Sequence, residues 1–410
     1  MNDIRWLAFP MLLVLIAAQP CIGASGAETR LLRMIAGSKE PIRLQGIASL
    51  KSQPDLCIAN LDRLIKIAKS EATNAAAKEA VRPSLAELLN LIGSTKQPAA
   101  EQALVELLDA PNGQIAMMAA NALGQNQIVG AIDPLKKQVD RPEFQSSYGF
   151  RFNLVRSFAL MKEPAAYDYL DSLQRKLDGQ LRHEIEKLLE QVTADDFGGD
   201  LKRFNDWNLA RKSKVVLAAT DSDSQSRERM ALAPSQYYGL DIHAKRLMFI
   251  IDHSGSMKEY ESGATRLDRA KQELIRVIQQ LPADHEFAII FYESSVRKWR
   301  PELVEASSEN KRDAISFVSR LGLGDRTNTH AALLEAFEFD DNLETVYLLT
   351  DGRPTTGKVV APPAIITEVI QRNQFRNLQF NTIGIALEGP TEAFLKDLAE
   401  LSGGEFRRVN

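Results

Sequence analysis

The sequence predicts a multidomain chain, with an all-α N-terminal region followed by an α/β domain built on a doubly wound, mostly parallel sheet. Three observations predict it. Apolar residues recur at helical spacing through the first half. After about residue 239 the pattern changes to continuous apolar runs alternating with helical stretches, which is the signature of parallel strands joined by crossover helices. Between the two regimes lies an acidic, glycine-rich break. At 410 residues the chain is long enough for two or three domains. Its apolar content of 44% and charged content of 25% are ordinary for a globular protein. A formal charge of −4 gives no concentrated basic face and argues against a nucleic-acid partner.

The N-terminus carries an address. Arg5 precedes the thirteen-residue stretch Trp6–Ala18, then Gln19, Pro20 and the small-residue tract Gly23-Ala24-Ser25-Gly26-Ala27. This layout predicts a secretory signal peptide over residues 1–26, with cleavage between Ala24 and Ala27 and a secreted, periplasmic or otherwise extracytoplasmic product. An uncleaved anchor and a cytoplasmic apolar start are the alternatives. Cys21 raises a lipoprotein anchor, but Gln19-Pro20 is a poor approach to such processing. No segment beyond the signal approaches the length of a membrane span. With Cys21 removed, Cys57 stands alone on an apolar helix face and reads as a small core residue.

Residues 27–192 read as the all-α domain. Ile58, Leu61, Leu64, Ile65 and Ala68 share a helical face, as do Leu85, Leu88, Leu89 and Ile92. Asn90-Leu91-Ile92-Gly93, Asn121-Ala122-Leu123-Gly124 and Phe158-Ala159-Leu160-Met161 each precede a further helix, at offsets of 31 and 37 residues. Those spacings suit stacked helical pairs. Met117 to Gly124 resembles the first helix and turn of a HEAT-like repeat; an irregular helical bundle is the alternative. Residues 193–238 read as a linker, beginning with Thr193–Asp200 and including the polar stretch Ala218–Arg229, with Trp207 packed on one domain or the other. Tyr237-Tyr238-Gly239-Leu240 leads into the second domain, residues 239–410.

In that domain Leu247–Ile251 and Phe287–Phe291 are continuous apolar runs suited to strands covered on both faces. Val296–Arg300 reads as an edge strand. Val346–Leu349 and Thr382–Leu387 are further strands, and Glu405–Val409 closes the sheet at an edge. Helices are expected from Leu267 to Leu281, Ala314 to Leu321, Ala331 to Phe339, Pro363 to Phe375 and Glu392 to Leu401. A sheet of this kind places its ligand site in loops beyond the carboxyl ends of its strands.

The polar residues with chemical potential lie at those ends. Asp252-His253-Ser254-Gly255-Ser256 follows the first strand, Asp351 follows the strand Val346–Thr350, and Gly324–Thr329 precedes a helix. Carboxylate and hydroxyl oxygens from three loops suit a hard cation such as Mg²⁺, which takes oxygen ligands and keeps part of its water. Gly255 lets the turn fold tightly between the two serines. Asp325, Arg326, Glu293 and Arg353 are weaker candidates at the rim. The five histidines form no zinc set, and no His-x-x-x-His or Cys-x-x-Cys spacing occurs.

Asp-x-Ser-x-Ser at 252–256, Thr327 in a later loop and Asp351-Gly352 after an apolar strand resemble the metal-ion-dependent adhesion site of von Willebrand factor type A domains. The resemblance covers about 170 residues and includes strand order. It implies a Rossmann-like domain binding Mg²⁺, Mn²⁺ or Ca²⁺, with Ser254, Ser256 and Thr327 coordinating through hydroxyls. Asp252 and Asp351 would hold the ion mainly through water, and a protein ligand would supply a further carboxylate. His253 stands where the family often has an apolar residue, and is expected to alter packing more than ligation. An enzyme would need a positioned base beside Ser254 or Ser256, and none stands out. The expected function is therefore a metal-dependent protein-binding, adhesion or scaffold module with no catalytic residues. The alternatives are a structural or assembly protein with an unoccupied site and, further off, a metal-assisted hydrolase.

Overall fold

The computed structural model describes residues 24–76, 81–221, 234–261, 263–387 and 389–409. The predicted signal segment up to residue 23 lies outside them, as does the part of the polar connector at 222–233. The chain divides into two compact units, Met1–Gln138 and Val139–Asn410.

The first unit is helical throughout its described residues, with its longer helices at Ala24–Ala36, Glu40–Lys51, Leu61–Ala76, Ser84–Ser94, Pro98–Leu108 and Gly113–Gln125. Proline occupies the first turn of several, where its missing N–H costs no intrahelical bond. Leu64, Leu85, Leu88, Leu89, Leu104, Ile115 and Leu123 are fully buried, so most positions of the stripes read from the periodicity lie in the core, while Ile58 of the first stripe is 42% exposed. Cys57 is a free, buried cysteine, and desolvation pushes its thiol up to about 11, which leaves it inert as a nucleophile.

The second unit begins with helices and continues into the sheet. The composition break at 193–238 is therefore not where the compact units separate: the helices Tyr148–Leu160, Pro164–Gln174 and Gly179–Glu190 group with the strands. Their packing gives the reason. Tyr148 N–H donates to the carbonyl of Asp341, and the buried Asn153 amide donates to the carbonyl of Phe375 at 3.0 Å. Gly149 meets the same carbonyl so closely that an added Cβ would lie 2.3 Å from it. Much of the expected linker is also ordered into elements, with a helix over Leu201–Asp221. Trp207 packs with Tyr167, Phe197 and Phe204 and donates its indole N–H to Asp168 at 3.0 Å.

A short hairpin, β1 (Gln236–Tyr237) and β2 (Leu240–Asp241), leads into the main sheet. The following strands are β3 (Arg246–Asp252), the small hairpin β4 (Tyr260–Glu261) and β5 (Ala264–Thr265), β6 (Glu286–Tyr292), β7 (Val296–Lys298), β8 (Val304–Glu305), β9 (Thr345–Thr350), β10 (Gln379–Ile385) and β11 (Phe406–Val409). The main sheet runs β11-β10-β9-β3-β6-β7, with β8 also paired to β6. Pairings among β11, β10, β9, β3 and β6 are parallel, and β7 and β8 are antiparallel. This is the doubly wound, mostly parallel sheet expected.

The continuous apolar run in β3 has a direct cause. Leu247, Phe249 and Ile251 pack with Leu274, Val277 and Val318 on one face. Met248 and Ile250 pack with Leu333, Ile365, Val369 and Leu395 on the other. Helices cover both faces, so neither side of the strand tolerates polar residues. Because β3 is flanked by β6 and by the later β9, the chain departs in opposite directions on its two sides, and a crevice opens beyond its carboxyl end.

His183, on the helix Gly179–Glu190, stacks on His243 with ring centroids 3.6 Å apart and planes 12° apart. Burial, then the charges of His243 and Lys187, hold His183 down at about 4, with Asp241 opposing. Burial lowers His243 as well, against Asp241, Glu405 and Glu186. An unfolded histidine titrates near 6.5, so the unfolded chain binds more protons below that value. The contribution of His183 is thus complete above about pH 6.5 and lost as the pH falls toward 4. Allowing for partial exposure, urea unfolding should register a loss of about 1–2 kcal/mol from this group between neutral and acidic pH. His183→Phe keeps a ring in the stack and should flatten that part of the profile. An unchanged acid dependence in the variant would remove the pair as its source.

Candidate metal centre

Three loops meet at the carboxyl edge of β3 and β9. Asp252 ends β3 and is completely buried. Its Oδ1 accepts the Ser254 backbone N–H at 2.8 Å, which closes the tight turn predicted around Gly255. Its Oδ2 accepts the Thr350 hydroxyl at 2.5 Å and, more weakly, the Tyr292 hydroxyl at 3.5 Å. Burial pushes the carboxyl of Asp252 up to about 6, further raised by the charge of Asp351 and opposed by hydrogen bonds from Thr350 and Ser254. Such a buried carboxylate carries strong negative potential when ionised and gains from a neighbouring cation.

From there the donors form a chain. Ser254 Oγ and Ser256 Oγ lie 3.2 Å apart, and Ser256 Oγ donates to Asp351 Oδ1 at 2.7 Å. The Asp351 side chain is also shielded from solvent, and its Oδ2 accepts Arg266 Nη1 at 3.0 Å. Thr327 stands in the adjoining wall, 4% exposed. Its N–H donates to Thr355 Oγ1 at 2.8 Å, and its carbonyl accepts the Thr355 N–H at 2.9 Å. The same loop is sewn over the first turn by Gly255 N–H to the Asp325 carbonyl at 2.9 Å and Gly324 N–H to the His253 carbonyl at 2.7 Å. All five residues singled out from the sequence therefore belong to one loop cluster.

Among the described residues no three His, Cys, Asp or Glu side chains converge as a ligand group. The cluster instead offers two carboxylates and a set of hydroxyls. That donor chemistry fits a hard, partly hydrated cation and does not fit zinc held by nitrogen or sulfur.

The weaker candidates separate by position. His253 turns its Nδ1 to the Gly322 carbonyl at 2.9 Å and packs edge-on against Phe291. It shapes the loop, with that ring nitrogen committed to a carbonyl. Glu293 accepts both the N–H and the hydroxyl of Ser295. Burial opposes its ionisation, but these bonds and those from Ser294 hold its carboxyl at about 2. It braces the turn after β6, while its carbonyl accepts the Asn328 N–H. Asp325, Arg326 and Arg353 are exposed.

Sequence reasoning missed Thr350, Tyr292 and Arg266. Thr350 carried a usable signal, being polar at the end of a buried strand next to Asp351. Arg266 carried none, since its place depends on how the β4–β5 hairpin turns the chain before the helix Arg266–Gln280. The serine hydroxyls engage each other and, from Ser256, the Asp351 carboxylate, while the adjacent imidazole of His253 engages a carbonyl.

Residues 245–407 match the family described as von Willebrand factor type A domain. The chain is 33% identical over 171 residues to von Willebrand factor A domain-containing protein 3B of Homo sapiens, covering 41% of this chain and 12% of that one. It is 31% identical over 183 residues to inter-alpha-trypsin inhibitor heavy chain H4 of Homo sapiens, covering 42% of this chain and 19% of the relative. A solved von Willebrand factor type A structure from Catenulispora acidiphila aligns at 21% identity and a TM-score of 0.35, covering 41% of this chain and 40% of that one. The similarity thus spans less than a fifth of the length of the two curated relatives.

Proposed function

From a C-terminal domain that belongs to the von Willebrand factor type A superfamily, we propose that the chain is an extracytoplasmic protein-binding, adhesion or scaffold module. It holds Mg²⁺, Mn²⁺ or Ca²⁺ through Ser254, Ser256 and Thr327, with Asp252 and Asp351 supplying charge, mainly through water. A partner protein completes the coordination with a carboxylate. The observation that carries this reading is the continuous run of donors from Asp252 through Ser254 and Ser256 to Asp351, buried behind one loop edge. Its hydroxyls are committed to that run, which argues for binding over hydrolysis. Secretion rests on the apolar segment Trp6–Ala18 and its small-residue tract. Among the described residues no helix is long and apolar enough to cross a membrane.

A second reading, a structural or assembly protein that needs no cation, draws on the Arg266–Asp351 ion pair, which offsets carboxylate charge from within the chain. Titration of the chain with Mg²⁺ and Mn²⁺ separates the two. Thr327→Ala is expected to weaken cation binding roughly tenfold or more while leaving the sheet folded, since it deletes an oxygen on a loop and no core packing. Partner capture in Mg²⁺ should fail in chelator and with this variant. A partner held equally well in chelator would end the metal-dependent reading and leave the fold assignment standing. Protein recovered for these measurements from an extracytoplasmic fraction should begin between Ala24 and Glu28; a retained Met1 in a soluble intracellular fraction would refute secretion.

A further inference from the structure

Arg266 is the first residue of the helix Arg266–Gln280, and its backbone is fixed on both sides. Its N–H donates to the Glu259 carbonyl at 3.0 Å, and Thr265 before it caps the helix by accepting the Asp268 N–H at 3.0 Å. From this root the side chain reaches inward, 16% exposed, to the fully shielded carboxylate of Asp351. That carboxylate is thereby engaged on both oxygens, by Ser256 on Oδ1 and by Arg266 on Oδ2.

We infer that Arg266 is a built-in competitor of the divalent cation, a tethered guanidinium on Asp351 that sets how much cation the site needs before it loads. The inference rests on the metal reading above. Two effects act in the same direction. A guanidinium paired to a carboxylate that would help hold the cation would repel the ion, and the shielding of that carboxylate from solvent would leave the repulsion poorly screened. The ion pair also stabilises the cation-free site, because it offsets the charge of a carboxylate that would otherwise be buried beside Asp252. Both lower cation affinity. An arginine cannot shed its proton to escape the competition, so the effect persists across the physiological pH range.

The test uses the full chain, titrated with Mn²⁺ by calorimetry at low ionic strength, where surface screening is least. Arg266→Gln is expected to bind Mn²⁺ about tenfold more tightly than the wild type, a figure scaled down from the Coulomb limit for partial exposure. Arg266→Lys keeps the charge and should stay near the wild-type affinity. In chelator, Arg266→Gln should melt below the wild type, and added Mn²⁺ should close that gap. Arg266→Met retains the aliphatic stem and serves as the neutral variant if the glutamine variant fails to fold. Unchanged or weaker Mn²⁺ affinity in a folded neutral variant overturns the inference and makes Arg266 a support that positions Asp351, while the metal reading stands. No Mn²⁺ uptake by either wild type or neutral variant overturns both.

Discussion

Asp252→Asn is expected to lower Mg²⁺ and Mn²⁺ affinity by about 100-fold or more while leaving the C-terminal domain folded. A divalent ion about 4 Å from a carboxylate gains roughly 8 kcal/mol at an effective dielectric near 20, and this attraction is set against the cost of partly dehydrating the ion. With Asp252 neutral, Asp351 alone supplies charge, and that carboxylate is shared with Arg266. The fold should survive because the amide oxygen still accepts the Ser254 N–H, and the hydroxyls of Thr350 and Tyr292 can donate or accept as needed. The buried charge disappears, so stability in chelator should be equal to the wild type or higher by about 1 kcal/mol. Calorimetric titration and urea unfolding measure the two quantities separately. A variant that binds cation as tightly as the wild type would place the ion elsewhere.

The largest effect on stability is expected at the opposite pole of the sheet. Glu344 precedes β9, is 2% exposed, and accepts two backbone N–H groups, from Gln180 at 3.0 Å and Lys245 at 3.1 Å. It also pairs with Arg246 at 2.9 Å. Burial pushes its carboxyl up, against these donors and the nearby guanidinium of Arg151. Gly179 makes the approach possible, since a Cβ there would lie 2.6 Å from Glu344 Oε2 and its φ is +66°. Glu344→Ala removes the acceptor and leaves two backbone donors and two partly buried guanidinia without it, so a loss of about 3–5 kcal/mol is expected. Glu344→Gln retains an acceptor of similar shape and should cost less, about 1–2 kcal/mol. Urea unfolding gives both values, and limited proteolysis should show residues 139–190 cut earlier in the alanine variant. If Glu344→Ala unfolds like the wild type, this carboxylate does not join the early helices to the sheet.

Residue order alone specifies the two fold regimes and where the candidate site falls. A run such as Leu247–Ile251 leaves no polar face, so the strand must be covered on both sides. A chain that alternates such strands with helices has little choice but a mostly parallel sheet. The polar residues at the strand ends then fall together at one edge, and this is why Asp252, Ser254, Ser256, Thr327 and Asp351 stand out in the sequence as candidates. Which helices belong with that sheet, and what surrounds the carboxylates, emerges only once the chain is packed. The helix Tyr148–Leu160 buries residues on nearly all sides, from Tyr148 and Phe150 to Asn153 and Leu154, and so carries no single stripe that names its neighbour. Composition placed the break after it; the carbonyls of Asp341 and Phe375 tie it to the sheet. Arg266 lies just ahead of the helix expected from Leu267, and nothing singles it out until the β4–β5 hairpin carries it to Asp351, distant in sequence. Periodicity reports which face of an element is buried; only the packed chain decides against what, and which charge it meets there.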